Sequence, residues 1–300
     1  MRVENMVSSA SVVTKETVGT KARNSNTSQR TETGSARSIL LTLLGEFVWP
    51  DGRPVWTATL IHVMKGIGIA EKSARQAIAR ANAAGWIEAN RFGRETCWAL
   101  TDMGRRVIEE GAQRVQSMSR NAQWDGRWLV VAISLPDSHR TQRTKLYRAL
   151  SWAGFGNPIP GIWVSPHTDR ENETRRVVEQ LGLAQFTCAF AGAALHVGLT
   201  DQQLVDRSWD LKEVAENYDV LLARFGKLRP RTGDDVLFNH VRLVNEWQRM
   251  PFVDPGLPNA LLPPRWRGRE ISGRLEALRE QWSAAAHDRW CALSGLASNA

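Results

Sequence analysis

The chain is poor in tyrosine, cysteine and long apolar runs, and each shortage narrows what it can be. Only two tyrosines stand against thirteen tryptophans in 300 residues. The three cysteines, Cys97, Cys188 and Cys291, are far apart and form no C-x-x-C pair. That excludes a disulfide scaffold or cysteine-ligated zinc and suits free thiols in a reducing compartment. No stretch approaches the roughly 20 apolar residues of a membrane span, and the amino terminus lacks the apolar core of a secretory signal. A cytoplasmic protein without a membrane partner is expected. The six histidines, His62, His139, His167, His196, His240 and His287, include no metal-spaced pair and no H-E-x-x-H. There is no G-x-S-x-G, and Gly66-Ile67-Gly68 follows a helical pattern without the third glycine of a dinucleotide loop. The expectation is a protein that is not an enzyme and carries no metal or cofactor.

What is present is positive charge, with a formal net charge of +8, which favours a polyanionic partner. Residues 1–35 are rich in Ser, Thr and Asn with scattered cations, and read as a disordered basic arm. From Ala36 the pattern becomes periodic. Ile39, Leu40, Leu43, Leu44 and Phe47 repeat at helical spacing, and Trp49-Pro50-Asp51-Gly52 supplies a turn. A second helix starts near Thr57. A third runs from Glu71 to Ala84, and Gly85 closes it. Residues Trp86–Arg91 and Glu95–Leu100 flank Phe92-Gly93-Arg94 as a hairpin, and Thr101 can cap a fourth helix.

This order predicts a winged helix-turn-helix over 36–118. On a wheel of about 100° per residue, Ala74, Ala77, Ile78 and Ala81 share an inward arc of the third helix. Lys72 and Gln76 lie opposite, with Ser73, Arg75 and Arg80 on the flanks. Gln and Arg can make bidentate bonds to base edges, while Lys and Ser suit phosphates. Arg91 and Arg94 flank the hairpin tip, placed to reach phosphate or a minor groove. Six cations against two anions leave residues 65–94 at +4. The predicted DNA contacts are therefore Lys72, Ser73, Arg75, Gln76, Arg80, Arg91 and Arg94. The competing reading is a scaffold or ligand-binding protein whose winged helix makes protein contacts.

Beyond Trp124 the pattern alternates. Strands are expected at Trp128–Leu135, Gly161–Ser165, Phe186–Phe190 and Ala194–Gly198, and helices at Arg140–Trp152 and Glu171–Leu181. That suggests a ferredoxin-like α+β domain over 122–200. The remainder, 201–294, reads as helical, with helices at Asp201–Phe225, Asp235–Gln248 and Gly268–Ala292 and a Pro-rich connection over Pro251–Pro264.

Several runs, in order, resemble the PaaX family of repressors, named for control of phenylacetate catabolism. They are Ser73-Ala74-Arg75-Gln76-Ala77-Ile78-Ala79-Arg80, Trp124-Asp125-Gly126-Arg127-Trp128, Trp152-Ala153-Gly154-Phe155-Gly156 and Gly161-Ile162-Trp163-Val164-Ser165-Pro166. Ser208-Trp209-Asp210-Leu211 and Arg249-Met250-Pro251-Phe252-Val253-Asp254-Pro255 follow. The resemblance implies a homodimer of three parts: an N-terminal winged helix, a central Cas2-like domain and a helical C-terminal domain. It also implies repression of aromatic-catabolism genes from a pseudo-palindromic operator on double-stranded DNA, with release by an aromatic or acyl-CoA effector. The long amino-terminal arm is an addition to the family pattern. Cas2 nucleases place an acidic metal ligand at the end of the first strand, where this chain has Ser134; Asp137 lies beyond Pro136. A scaffold role is expected for that domain. An acyl-CoA pocket could draw on Trp152, Trp163, Trp209 or Trp247 and on Arg127 or Arg249, but the sequence assigns no effector site.

Overall fold

The computed structural model describes residues 34–118, 123–195 and 197–295. Nearly all of the expected basic arm lies outside the described residues. Two compact units form, and the chain enters each more than once. One, the head unit, combines residues 34–117 with 217–250 and 268–295. The other, the sheet unit, combines 118–216 with 251–267. The segment 201–294, expected to be one helical body, is thus shared between them.

The head unit opens with α1 (Ala36–Leu43), capped by the Ser35 hydroxyl, which accepts from the Ser38 amide at 3.2 Å. Its last turn widens into a π-helical turn over Leu44–Val48. Strand β1 (Val55–Trp56) leads into α2 (Thr57–Gly66), followed by α3 (Glu71–Ala83). Gly85 adopts φ +71° at the end of α3, a conformation that glycine enters without steric cost. Strands β2 (Ile87–Phe92) and β3 (Glu95–Leu100) form the expected hairpin, with Arg91 opposite Thr96 and Phe92 opposite Glu95. β1 adds a third strand in the order β1-β3-β2. The Thr101 hydroxyl accepts from the Gly104 amide at 3.1 Å and starts α4 (Asp102–Met118), as its sequence suggested.

Two later helices complete this unit's core, α9 (Asp234–Trp247) and α10 (Gly268–Ser294). Leu237 and Val241 of α9, with Ala286 and Trp290 of α10, are buried in one cluster with Leu40, Leu43, Phe47, Leu60 and Met64. Phe47 stacks on Trp290 with ring centroids 4.7 Å apart. The helices of the first 118 residues therefore share a core with elements more than 100 residues downstream.

In the sheet unit, β4 (Trp128–Ile133), α5 (Arg140–Trp152), β5 (Gly156–Ile159), β6 (Ile162–Ser165), α6 (Glu171–Gln180) and β7 (Thr187–Gly192) follow in sequence. The strands are antiparallel in the order β5-β6-β4-β7. This is the split βαβ arrangement of ferredoxin-like domains. Alternation along β4 sends Leu129, Val131 and Ile133 toward Leu146 and Leu150 of α5 and Val178 of α6. Trp128 joins a cluster on Val164, Val205, Leu211, Leu257 and Leu261.

Three expectations need correction here. The described residues of Ala194–Gly198 form no strand; Ala194 packs on the Trp128 cluster, but Leu195 is 84% and Val197 93% exposed, so the larger apolar side chains of the alternation are left in solvent. The missing strand is β5, whose Gly-Asn-Pro-Ile sequence has one strand former, Ile159, after three residues depleted in strands. Pro158 is tolerated because β5 is an edge of the sheet. The helix expected over Asp201–Phe225 is two helices, α7 (Asp201–Ser208) and α8 (Leu211–Phe225). Asp210 breaks it: its carboxylate accepts from the Glu213 amide at 3.0 Å as an N-cap. Among the described residues no helix is long and apolar enough to cross a membrane.

Candidate nucleic-acid interface

Helix α3 divides as its spacing predicts. Ala74, Ala77, Ile78 and Ala81 are buried, whereas Lys72, Arg75, Gln76 and Arg80 are exposed and Ser73 is half-buried. The alanines let α3 lie close on α1 and α2, because no side chain beyond Cβ intervenes. Helix ends carry partial charges, so Glu71 in the first turn is favourably placed. Glu71 also gathers two cations: Arg75 Nη2 lies 2.9 Å and Lys65 Nζ 3.4 Å from its carboxylate. The Arg75 hydrogen bond, then that of Lys65, holds the Glu71 carboxyl below its ordinary value. Water screens such an exposed pair and leaves it weak, so Arg75 can exchange Glu71 for another acceptor.

Arg91 and Arg94 are exposed at the end of the β2–β3 hairpin, where Gly93 adopts φ +61°. Phe92, 60% exposed, leans edge-on against Trp56 with ring centroids 5.6 Å apart. The hairpin is tied to the start of α2: Thr57 Oγ1 donates to the Thr96 carbonyl at 2.9 Å and accepts from Trp98 Nε1 at 2.8 Å. Among the described residues, Lys72, Arg80, Arg91 and Arg94 have no ion-pair partner. An open cleft of about 830 Å³ is lined by Thr57, His62, Lys65, Arg75, Arg94 and Asp234, among others. It brings the two arginines together with α2 and the first turn of α9. Six of the seven predicted contact residues are thus exposed on α3 and the hairpin tip, and Ser73 is half-buried beside them.

Sequence reasoning missed what seats these elements. Glu46, in the π-helical turn after α1, is 5% exposed. Its carboxylate meets His240 Nε2 of α9 at 2.9 Å and Arg279 Nη2 of α10 at 3.0 Å. Burial alone would push its carboxyl up. The His240 hydrogen bond and the Arg279 charge outweigh that and bring it down to about 2. The Glu46 carbonyl also faces His287 Nε2 at 3.1 Å. A lone acid inside the apolar run Leu43–Val48 was the visible signal.

The turn between α2 and α3 is keyed in the same way. A Cβ at Gly66 would sit 2.0 Å from the Phe238 ring, so only glycine admits that ring. Arg242 Nη2 donates to the Gly66 carbonyl at 3.1 Å, and His62 Nε2 lies 3.0 Å from Asp234, which Arg289 also holds at 2.8 Å.

The tryptophans considered for an effector are packed within their own units. In the sheet unit Trp152 stacks on Phe252, Trp163 lies against Tyr147, and Trp209 stacks on Trp128. Trp247, in the head unit, is buried with its Nε1 3.4 Å from Ser272 Oγ. Asp137 is exposed in a 3₁₀ turn, and no group of three or more His, Cys, Asp or Glu among the described residues is placed to share a metal ion.

Comparison with known proteins fits this architecture. Residues 35–104 match the family described as PaaX-like protein, 121–205 the PaaX protein central Cas2-like domain, and 209–292 the PaaX-like protein C-terminal domain. The chain is similar to the transcriptional repressor PaaX of Escherichia coli (strain K12), with 26% identity over 245 residues, 78% of this chain and 76% of that protein. Its fold is similar to that of the uncharacterized protein Rv0674 from Mycobacterium tuberculosis. There the TM-score is 0.58 at 22% identity, over 86% of this chain and 98% of that one. The chain belongs to the PaaX family of transcriptional repressors, a family of regulators and not of enzymes.

Proposed function

We propose that this protein is a homodimeric repressor that reads a pseudo-palindromic operator, with α1–α4 and the hairpin acting as a winged helix-turn-helix. The observation that carries the reading is the division of α3. A buried alanine face sits opposite exposed Lys72, Arg75, Gln76 and Arg80, and the unpaired arginines of the hairpin tip lie on the same module. In this reading α3 enters the major groove. Gln76, Arg75 and Arg80 reach base edges, while Lys72 and Ser73 meet phosphates. The hairpin is the wing, and Arg91 and Arg94 touch the backbone or the neighbouring minor groove.

Two-fold protein symmetry is mirrored in the operator, so half-sites should lie about one helical turn, or a multiple of it, apart. The regulated genes would belong to aromatic catabolism. An aromatic or acyl-CoA effector releases the DNA only if it binds the DNA-incompetent arrangement more tightly. Footprinting on DNA around its own and neighbouring genes tests this. The expected result is a symmetric protected site that survives excess shuffled competitor and disappears when the aromatic compound of the local pathway, or its CoA thioester, is added. Protection without sequence preference would contradict operator reading, and protection indifferent to every such compound and thioester would contradict release.

A further inference from the structure

The turn between α8 and α9, residues 226–233, carries Lys227, Arg229 and Arg231, all exposed. The nearby acids are already engaged. Glu246 meets Arg224 at 2.6 Å, and Asp234 is held by His62 and Arg289. Asp235 accepts from the Arg231 amide at 2.7 Å and from Asn239 Nδ2 at 2.9 Å. Arg229 Nη1 donates to the neighbouring Leu228 carbonyl at 2.7 Å. Among the described residues none of the three cations has an ion-pair partner. Pro230 fixes the backbone between the two arginines.

The position of this turn follows from how α9 lies on α2. Asp234 meets His62, and one turn further along both helices Phe238 rests on Gly66. The two helices therefore run side by side in the same direction and begin on the same side of the head unit. α2 begins beside the hairpin, at the Thr57–Thr96 bond. Asp234 itself lines the cleft that holds Arg75 and Arg94. At no more than about 3.5 Å per residue, Arg231 lies within roughly 11 Å of Asp234 along the chain.

We propose that Lys227, Arg229 and Arg231 form a second phosphate-binding patch, which holds the duplex backbone flanking the bases read by α3. The proposal rests on the winged-helix reading for its orientation. The patch adds affinity without sequence information, because phosphates are the same at every base pair. It makes the C-terminal part of the chain a direct DNA contact as well as core.

The test uses the full chain with Lys227→Ala, Arg229→Ala and Arg231→Ala combined. Binding is measured over a salt series on the footprinted duplex, on a shuffled duplex of equal length, and on the footprinted duplex trimmed of its flanks. Each phosphate that is no longer neutralised should reduce the salt slope by about 0.9, so the slope should fall by about two to three units. Affinity should fall about tenfold or more on both full-length duplexes, with their ratio unchanged. Trimming the flanks should weaken the wild type and leave the triple variant unaffected. Arg229→Lys with Arg231→Lys should keep the wild-type slope, which separates charge from any loss of fold. A triple variant with the wild-type slope and affinity overturns the patch and leaves the winged-helix reading intact. A changed operator-to-shuffled ratio overturns the claim that the patch is sequence-blind. A wild type without operator preference overturns the reading of α3, and the patch is then judged by its slope on the shuffled duplex. A wild type that binds neither duplex overturns both.

Discussion

Replacing Glu46 with alanine is expected to destabilise the protein by about 3–5 kcal/mol and to abolish DNA binding with it. The carboxylate is 5% exposed, His240 is fully buried, and Arg279 is only partly open to solvent. Removing the acid leaves the Arg279 charge without its partner beside a buried imidazole, and solvent reaches only the part of Arg279 that is exposed. Total stabilities of about 5–15 kcal/mol leave little room for such a change. Urea unfolding at neutral pH measures it, and a variant within about 0.5 kcal/mol of the wild type would refute it.

The pH dependence has a definite sign. The Glu46 carboxyl is lowered from 4.5 to about 2 in the fold, so the unfolded chain binds its proton more readily. Its contribution is fully present above about pH 4.5 and is lost as pH falls toward about 2. The stability gap between wild type and Glu46→Gln should close across that window.

The second large effect falls on recognition. Arg75→Ala with Arg80→Ala should weaken specific operator binding by about 2–6 kcal/mol. Each bidentate base contact contributes about 1–3 kcal/mol, and separated contacts add approximately. At 1.4 kcal/mol per tenfold that is a factor of roughly 30 to 20,000. Binding to shuffled DNA should fall far less, since only charge is removed there. The helix should stay folded. Both side chains are exposed, and the solvent-screened Arg75–Glu71 pair adds little to stability. Competition titrations at one fixed salt concentration measure both affinities. An unchanged ratio of operator to shuffled affinity would remove these residues from base recognition.

The parts legible in the sequence are those whose cause is local. The buried arc Ala74, Ala77, Ile78 and Ala81 is a 3.6-residue period, and the hairpin is two short runs around Phe92-Gly93-Arg94. The caps at Ser35, Thr101 and Asp210 lie within three residues of the amides they serve. Asp210 with Glu213 carries the D-x-x-E spacing of a helix start, a local signal that the single helix expected over Asp201–Phe225 passed over.

What was not legible depends on chain separation. Glu46 finds His240 and Arg279 across 194 and 233 residues. Neither residue type nor spacing announces such a pairing, so nothing in the sequence tied the helical segment 201–294 to the core of the first 118 residues. β5 was missed because an edge strand tolerates Gly and Pro that a central strand excludes. Ala194–Gly198 was overread because alternation alone does not supply a partner.

The exposed face of α3 is the centre of the account, and exchanging one reading group on it is the most direct test. Gln is suited to adenine and Arg to guanine in the major groove. The base-preference profile of Gln76→Arg should therefore move from A·T to G·C at one position in each half-site, symmetrically, and keep its preference elsewhere. A profile unchanged at every position, with affinity raised evenly by the added charge, would contradict it.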